Sequence, residues 1–363
     1  MLPTLRDEYG NEGSAHAYGW RASLLVEQAR KQTADLLNAQ INEIHFTSGA
    51  TASIELAILH TLDTHAAAKP QHIITCVTEH KATLDACAEA ARRGHEVTYL
   101  TTDNDGRITL DQITNAIKPN TRLVTLMHAN NEIGTMHAIG EIGGKLRVTN
   151  PEILFHVDAS QTAGRHEIDV ERMNIDLLSL SAHKFHGPKG VGALFIRNSK
   201  GRRVHVARLH EGTANVTGIV GLGKAAELAK QNPGTEKMRE QQQRILAGLA
   251  KEFAVGTARL NGSTPQDGTR LCNNISVTFK NVEPDELQLA LKDIAYSSAS
   301  ACTGPLQSHV LKAIGQPTND PFLTTARFGL SRLTTDEEVS FLIERLTKAL
   351  ETTRAKSKAY GAP

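Results

Sequence analysis

Short apolar runs recur through the first part of this chain, each separated from the next by a segment of a different period. They read "EIHFTS", "HIITCV", "TRLVTLMHA", "EILFHVD", "IDLLSLS" and "VGALFIR". Before the first and between others lie stretches of helical spacing: "RASLLVEQARKQTADLLN", "ATASIELAILHTL" and "HKATLDACAEAARRG", the last closed by Gly94. Short apolar strands alternating with helices predict an α/β fold built on a mostly parallel, doubly wound sheet.

The pattern then changes. A long helical stretch, "NVTGIVGLGKAAELAKQ" through "MREQQQRILAGLAKEF", is interrupted near Asn232, Pro233 and Gly234. After it come "NNISVTF", "DELQLALKD", "AYSSAS" and a last amphipathic helix, "TDEEVSFLIERLTKALETT". This predicts a large domain over residues 1–240 and a smaller α+β domain over 241–363. A chain of 363 residues, 40% of them hydrophobic, can supply both cores. Forty basic against thirty-nine acidic residues leave a formal charge of +1, so no electrostatic footprint for nucleic acid or an anionic membrane is present. No apolar run approaches membrane-spanning length, and a cytoplasmic protein without direct nucleic-acid binding is expected. Cys76, Cys87, Cys272 and Cys302 show no CxxC pairing, which implies neither a disulfide framework nor a metal site.

In an open parallel sheet, ligands sit beyond the carboxyl ends of the strands. "HFTSGATAS" passes from strand through Ser48, Gly49, Ala50 and Thr51 into a helix, a turn that can face an anion. "CVTEHKAT" sets His80 after a strand, where a helix cap is the plainer reading. "MHANNEIGT" offers Asn130, Asn131 and Glu132, and "FHVDASQTAG" offers Asp158 and Gln161. "SLSAHKFHGPKG" adds Ser181, His183 and Lys184. Singly, Lys184 is a surface lysine and Asp158 a helix N-cap. Together they are the parts that an aldehyde cofactor with a phosphate and a protonated pyridine nitrogen requires. Lysine forms the Schiff base, a carboxylate holds the pyridinium, and a helix start takes the phosphate. The strand before Lys184 is expected to deliver it to a dry spot, where it can act as a nucleophile and proton shuttle.

These stretches, with "NNEIG", "GTANVTGIVGLGKAAE", "RLCNNISVTF" and "SSASACTG" in order, resemble the cysteine desulfurases of the class V aminotransferase group. The resemblance implies the pyridoxal 5'-phosphate (PLP) fold-type I: a large domain with a seven-stranded-type sheet and a smaller C-terminal domain carrying a cysteine loop. It implies that Lys184 is the Schiff-base lysine, that His80 stacks on the ring, and that Asp158 binds the ring nitrogen. Asn131 and Gln161 would lie near the ring hydroxyl. Ala50, Thr51, Ser181 and His183 would hold the phosphate, with Thr213 contributed by the other subunit of a homodimer. Arg327 would bind the carboxylate of L-cysteine, and Cys302 would take the sulfur and pass it to a protein acceptor, a scaffold or carrier. The small residues around Cys302 (Ser300, Ala301, Gly304) suit a segment that must move. Two rivals stand beside this reading: a related PLP lyase or aminotransferase in which Cys302 is incidental, and a low-activity sulfur-relay subunit retaining the fold. The resemblance leaves the acceptor pathway open among iron–sulfur assembly, tRNA thiolation and DNA phosphorothioation.

Overall fold

The computed structural model describes residues 1–63, 70–199, 202–206, 212–298, 308–317, 320 and 322–359. Two compact units are present. The first comprises Met1–Leu100, Thr109–His128 and Ala138–Pro233. The second comprises Gly234–Pro363 together with two excursions, Thr101–Ile108 and Ala129–His137.

The first unit is organised by a seven-stranded sheet. Its strands are β1 (Ile44–Thr47), β2 (His72–Cys76), β3 (Glu96–Leu100), β4 (Thr121–Met127), β5 (Leu154–Asp158), β6 (Leu177–Ser181) and β7 (Gly192–Ile196). The order across the sheet is β1-β7-β6-β5-β4-β2-β3. Neighbours from β6 to β3 pair in parallel, while β7 runs antiparallel to both β6 and β1. Every residue of β2, β5, β6 and β7 is buried, which explains why these strands are continuous apolar runs instead of alternating ones. A fully buried Leu or Ile, such as Ile73, Leu123 or Leu177, contributes about 1.5–3 kcal/mol.

Two buried histidines stitch the strands laterally. His72 bridges Thr121 and Thr98 at 2.8 Å on each ring nitrogen, and His156 bridges Thr125 at 2.7 Å and Ser179 at 2.9 Å. Burial lowers the His156 pKa to about 3, so the ring is neutral and can donate from one nitrogen while accepting on the other.

Helices form where the spacing predicts them: Ala17–Leu37, ended by left-handed Asn38; Lys81–Arg92; and Val216–Gln231, capped by Asn215. The run from Ala50 to Asp63 is helical throughout but loosens to π geometry over Leu56–His60.

The second unit holds an antiparallel sheet of β8 (Ala258–Leu260), β9 (Asn274–Lys280), β10 (Ser297–Ser298) and β11 (Leu323–Gly329), in the order β8-β9-β11-β10. Its core gathers Ile275, Val277, Phe279 and Phe328 with Leu287, Leu342 and Leu346 from the helices. The long helix Asp336–Ala359 supplies the last two of these.

Candidate active site

The parallel strands of the first unit end along one edge, and the side chains named from the sequence follow those ends. Met127 and Asp158 are register partners across β4 and β5, and Asp158 and Ser179 across β5 and β6. The backbone continues this pairing past the strands, with His128 N–H donating to the Asp158 carbonyl at 2.9 Å and Ala159 N–H to Ser179 at 2.9 Å. Asp158 is 6% exposed, and its Oδ1 accepts from the backbone N–H and the hydroxyl of Ser160. Those bonds orient the carboxylate at the start of the turn that carries Gln161, which is half-buried.

From β6 the chain enters one 3₁₀ turn, Ala182–Phe185, closed by His186 in the left-handed region. This turn brings Ser181, His183 and Lys184 out at the edge, with Ser181 Oγ 3.0 Å from His183 Nδ1. The pKa of His183 is lowered by partial burial and then by the charges of Lys184 and Lys189. Lys184 was expected in a dry spot. It is half-buried in the described chain, because the short turn lifts it off the buried strand toward the surface. Its carbonyl accepts Nη2 of Arg165, whose Nη1 reaches the Gln161 carbonyl at 3.3 Å. One guanidinium thus ties the turn after β5 to the turn after β6.

The phosphate-side turn packs closely on the same edge. Gly49 has φ +149°, and a Cβ there would meet Ser181 Oγ at 3.7 Å. A Cβ on Gly192 would lie 2.5 Å from the Leu180 carbonyl and 2.7 Å from Gly49 Cα, so glycine is what lets the turn sit against β6 and β7. Ala50 and Thr51, the first helical residues, are half-buried and exposed. His80 is a helix N-cap, its Nδ1 accepting from Ala82 N–H at 3.2 Å, and it is exposed. Capping and ring stacking are compatible, since the cap uses an edge of the ring and stacking uses its face.

Beneath His80 lies a residue that the sequence reading did not single out. Glu79 is fully buried, and its Oε1 accepts the Met127 N–H at 2.8 Å. Burial first, then the charge of Asp158, hold its pKa well above the usual carboxylate range. Ser160, Arg165 and Glu79 all support the edge, but an Asx turn, a surface-type arginine and a glutamate beside a histidine carry no distinctive spacing.

Asn131 and Arg327 both belong to the second unit. Arg327 stands on β11, opposite Ser276 of β9 and Ser297 of β10, and its Nη1 donates to the Asn131 carbonyl at 2.9 Å. Asn130 shapes the intervening loop, its Oδ1 accepting from Glu132 N–H at 2.8 Å and Ile133 N–H at 3.0 Å. Glu132 Oε2 accepts the Ser308 hydroxyl at 2.5 Å, and Ser308 caps the helix His309–Ala313. Thr213 is exposed. Cys302 lies outside the described residues. Cys76, Cys87 and Cys272 are buried, and burial, reinforced by Glu79, pushes the Cys76 thiol up to about 11 and Cys87 up to about 12.

The donor set of the first unit fits pyridoxal phosphate. An oriented carboxylate suits a pyridinium, while Ser181, Thr51, His183 and the amide start at Ala50 suit a phosphate. The Lys184 amine suits an aldehyde. No group of three or more His, Cys, Asp or Glu among the described residues could hold a metal ion.

Comparison with known proteins agrees with this donor set. The family model described as aminotransferase class-V matches residues 1–342. The cysteine desulfurase IscS of Anaeromyxobacter sp. (strain K) is 43% identical over 373 residues, covering 99% of this chain and 90% of its own. A solved NifS-like protein superposes with a TM-score of 0.86 at 32% identity, over 97% of this chain and 94% of that one. A structure of SspA in complex with cysteine has a TM-score of 0.76 at 34% identity, over 92% and 94%. The chain belongs to the class-V aminotransferases and, within them, to the pyridoxal-phosphate-dependent cysteine desulfurases.

Proposed function

We propose that the chain converts L-cysteine to L-alanine, keeps the sulfur as a persulfide on Cys302, and delivers it to a protein scaffold or carrier. The observation that carries this reading is the convergence of Asp158, Ser181, His183 and Lys184 on one strand edge. When bound, pyridoxal phosphate supplies an electron sink for the substrate α-carbon. Asp158 holds the proton on the ring nitrogen, and Ser160 keeps that carboxylate oriented. Thr51, Ser181, His183 and the N–H groups at Ala50 hold the phosphate, joined by Thr213 from a second subunit. His80 would cover the ring, and Gln161 and Asn131 would bind its hydroxyl.

Lys184 takes the α-proton on Nζ, and Arg327 holds the substrate carboxylate. The Cys302 thiolate then attacks the substrate sulfur. As the new S–S bond forms, the Cβ–S bond breaks with its electron pair going to Cβ, which takes up a proton to become the methyl group, and Lys184 returns a proton to the α-carbon to complete alanine. Burial of Cys76, Cys87 and Cys272 supports Cys302 as the sulfur carrier, since a buried thiol is not accessible to the substrate.

The working form is a homodimer. The helix Ala17–Leu37 leaves Tyr18, Trp20 and Leu24 exposed at 50%, 62% and 71%, and Tyr9 stacks on Tyr18 at 6.2 Å. An exposed apolar face of this kind fits a second copy of the chain. No described helix is long and apolar enough to cross a membrane, which suits work in the cytoplasm. Incubating the PLP-loaded protein with L-cysteine tests the proposal. Equimolar alanine and protein-bound persulfide are expected, and a keto acid in place of alanine would show an aminotransferase.

A further inference from the structure

Arg270 is 5% exposed and meets no carboxylate among the described residues. Its donors end on neutral oxygens. Nε reaches the Asn274 carbonyl at 3.1 Å, Nη1 reaches the carbonyls of Asn261 at 2.7 Å and Ser263 at 2.9 Å, and Nη2 reaches Asn274 Oδ1 at 3.1 Å. Burial lowers its pKa to about 10, which leaves it charged at neutral pH. An uncompensated buried cation is costly, so its retention calls for a reason.

That reason is visible two bonds away. A guanidinium only donates, so it fixes the Asn274 amide with Oδ1 toward Arg270. Nδ2 must then face the loop, where it donates to the carbonyls of Asn131 and Glu132, each at 3.3 Å. The Asn131 carbonyl is the same oxygen that accepts Nη1 of Arg327. Asn274 is paired with Gly329 and Ser276 with Arg327, so the Asn274 and Arg327 side chains rise from the same face of adjacent strands. Gly134, at φ +76°, has no room for a Cβ, which would lie 2.8 Å from Asn274 Oδ1. The loop is therefore seated directly on the amide.

Holding the loop does not itself require a charge. Neutral bonds already anchor it: Met136 N–H to Thr269 at 2.8 Å, Leu271 N–H to Gly134 at 2.8 Å, and Ser263 N–H to Thr135 Oγ1 at 2.9 Å. We propose that Arg270 and Asn274 are positioning residues for the substrate carboxylate. They fix the carbonyl that aims Arg327, and Arg270 adds the second positive charge that makes this end of the unit prefer an anionic carboxylate to a neutral amide. This rests on the role proposed above for Arg327.

The test measures binding of L-alanine and of L-alaninamide to the PLP-loaded protein through its visible absorbance, so turnover is not needed. Arg270→Gln removes the charge but keeps a polar side chain, and Asn274→Ala removes the link; if one fails to fold, the other decides. Each should weaken L-alanine about tenfold and change L-alaninamide by less than about threefold, with the cofactor absorbance unaltered. Asn274→Ala combined with Arg327→Lys should bind L-alanine no more weakly than Arg327→Lys alone. Equal weakening of both ligands, or losses that multiply in the double variant, would overturn the proposal. Parental binding by Arg270→Gln and Asn274→Ala beside a weakened Arg327→Lys would overturn it while leaving the role of Arg327 intact. Parental binding by Arg327→Lys would end both.

Discussion

Ser160 gives Asp158 two hydrogen bonds on one oxygen, from its backbone N–H at 2.9 Å and from its hydroxyl at 2.6 Å. The carboxylate is thereby held at the sheet edge in one orientation. Asp158→Ala should lose cofactor retention and α-proton exchange together, because the ring nitrogen then has no anion to keep it protonated. Ser160→Ala removes one hydrogen bond to a charged group, about 1.5–3 kcal/mol. It should raise the dissociation constant for pyridoxal phosphate at least about tenfold while exchange continues. Parental α-proton exchange in Asp158→Ala would reduce the carboxylate to a turn cap.

Lys184 reaches the same edge from the 3₁₀ turn that follows β6. Its carbonyl accepts Nη2 of Arg165, a bond that survives whatever the side chain is. Lys184→Ala should therefore keep the fold, lose the visible absorbance of the lysine-bound cofactor, and lose activity. A borohydride-reducible cofactor adduct surviving in that variant would place the covalent bond elsewhere.

Glu79 makes a prediction about pH. Its pKa stands well above 4.5, through burial first and the charge of Asp158 after it, with the Met127 N–H pulling the other way. The charge of Glu79 in turn raises the thiols of Cys76 and Cys87. The unfolded chain releases this proton near 4.5 and the folded chain retains it, so the folded state binds the extra proton above that pH. Stability from this group is fully present below about 4.5 and falls by about 1.4 kcal/mol per pH unit as pH rises toward the folded value. Glu79→Gln cannot ionise. Its advantage in melting temperature over the parent should grow as pH is raised from 5 to 8 in the cofactor-free protein, and a constant difference would show that Glu79 is ionised in the folded state.

Much of the edge was legible because chemistry-bearing residues follow the buried strands directly. "LLSLS" before Lys184 and "LFHV" before Asp158 are apolar enough to be strands and short enough not to be helices. β3 was missed, since Glu96–Leu100 is a sheet-edge strand with only Leu100 buried and so has no apolar run. The assignment of Asn131 to the second unit was also hidden. Ala129–His137 leaves the first unit after β4 and is held by Asn274 and Arg270, residues about 140 positions later in the chain. Periodicity reports local burial and is blind to such long-range contacts.

Cys302 decides between the desulfurase and its enzyme rivals. A persulfide mechanism uses this thiol after the substrate has joined the cofactor. Cys302→Ser should accordingly bind pyridoxal phosphate, change its visible absorbance on addition of L-cysteine, and exchange the α-proton. It should then stall, because a serine hydroxyl is barely ionised near neutral pH while a thiol is a few per cent thiolate. Persulfide on the parent should map by mass spectrometry to the peptide containing Cys302. Cys76 and Cys87, with thiols pushed up to about 11 and about 12 and shielded from solvent, should carry none. A lyase that expels sulfur directly would tolerate the serine. Near-parental alanine release from Cys302→Ser would therefore remove the persulfide step while leaving Asp158 and Lys184 in their roles.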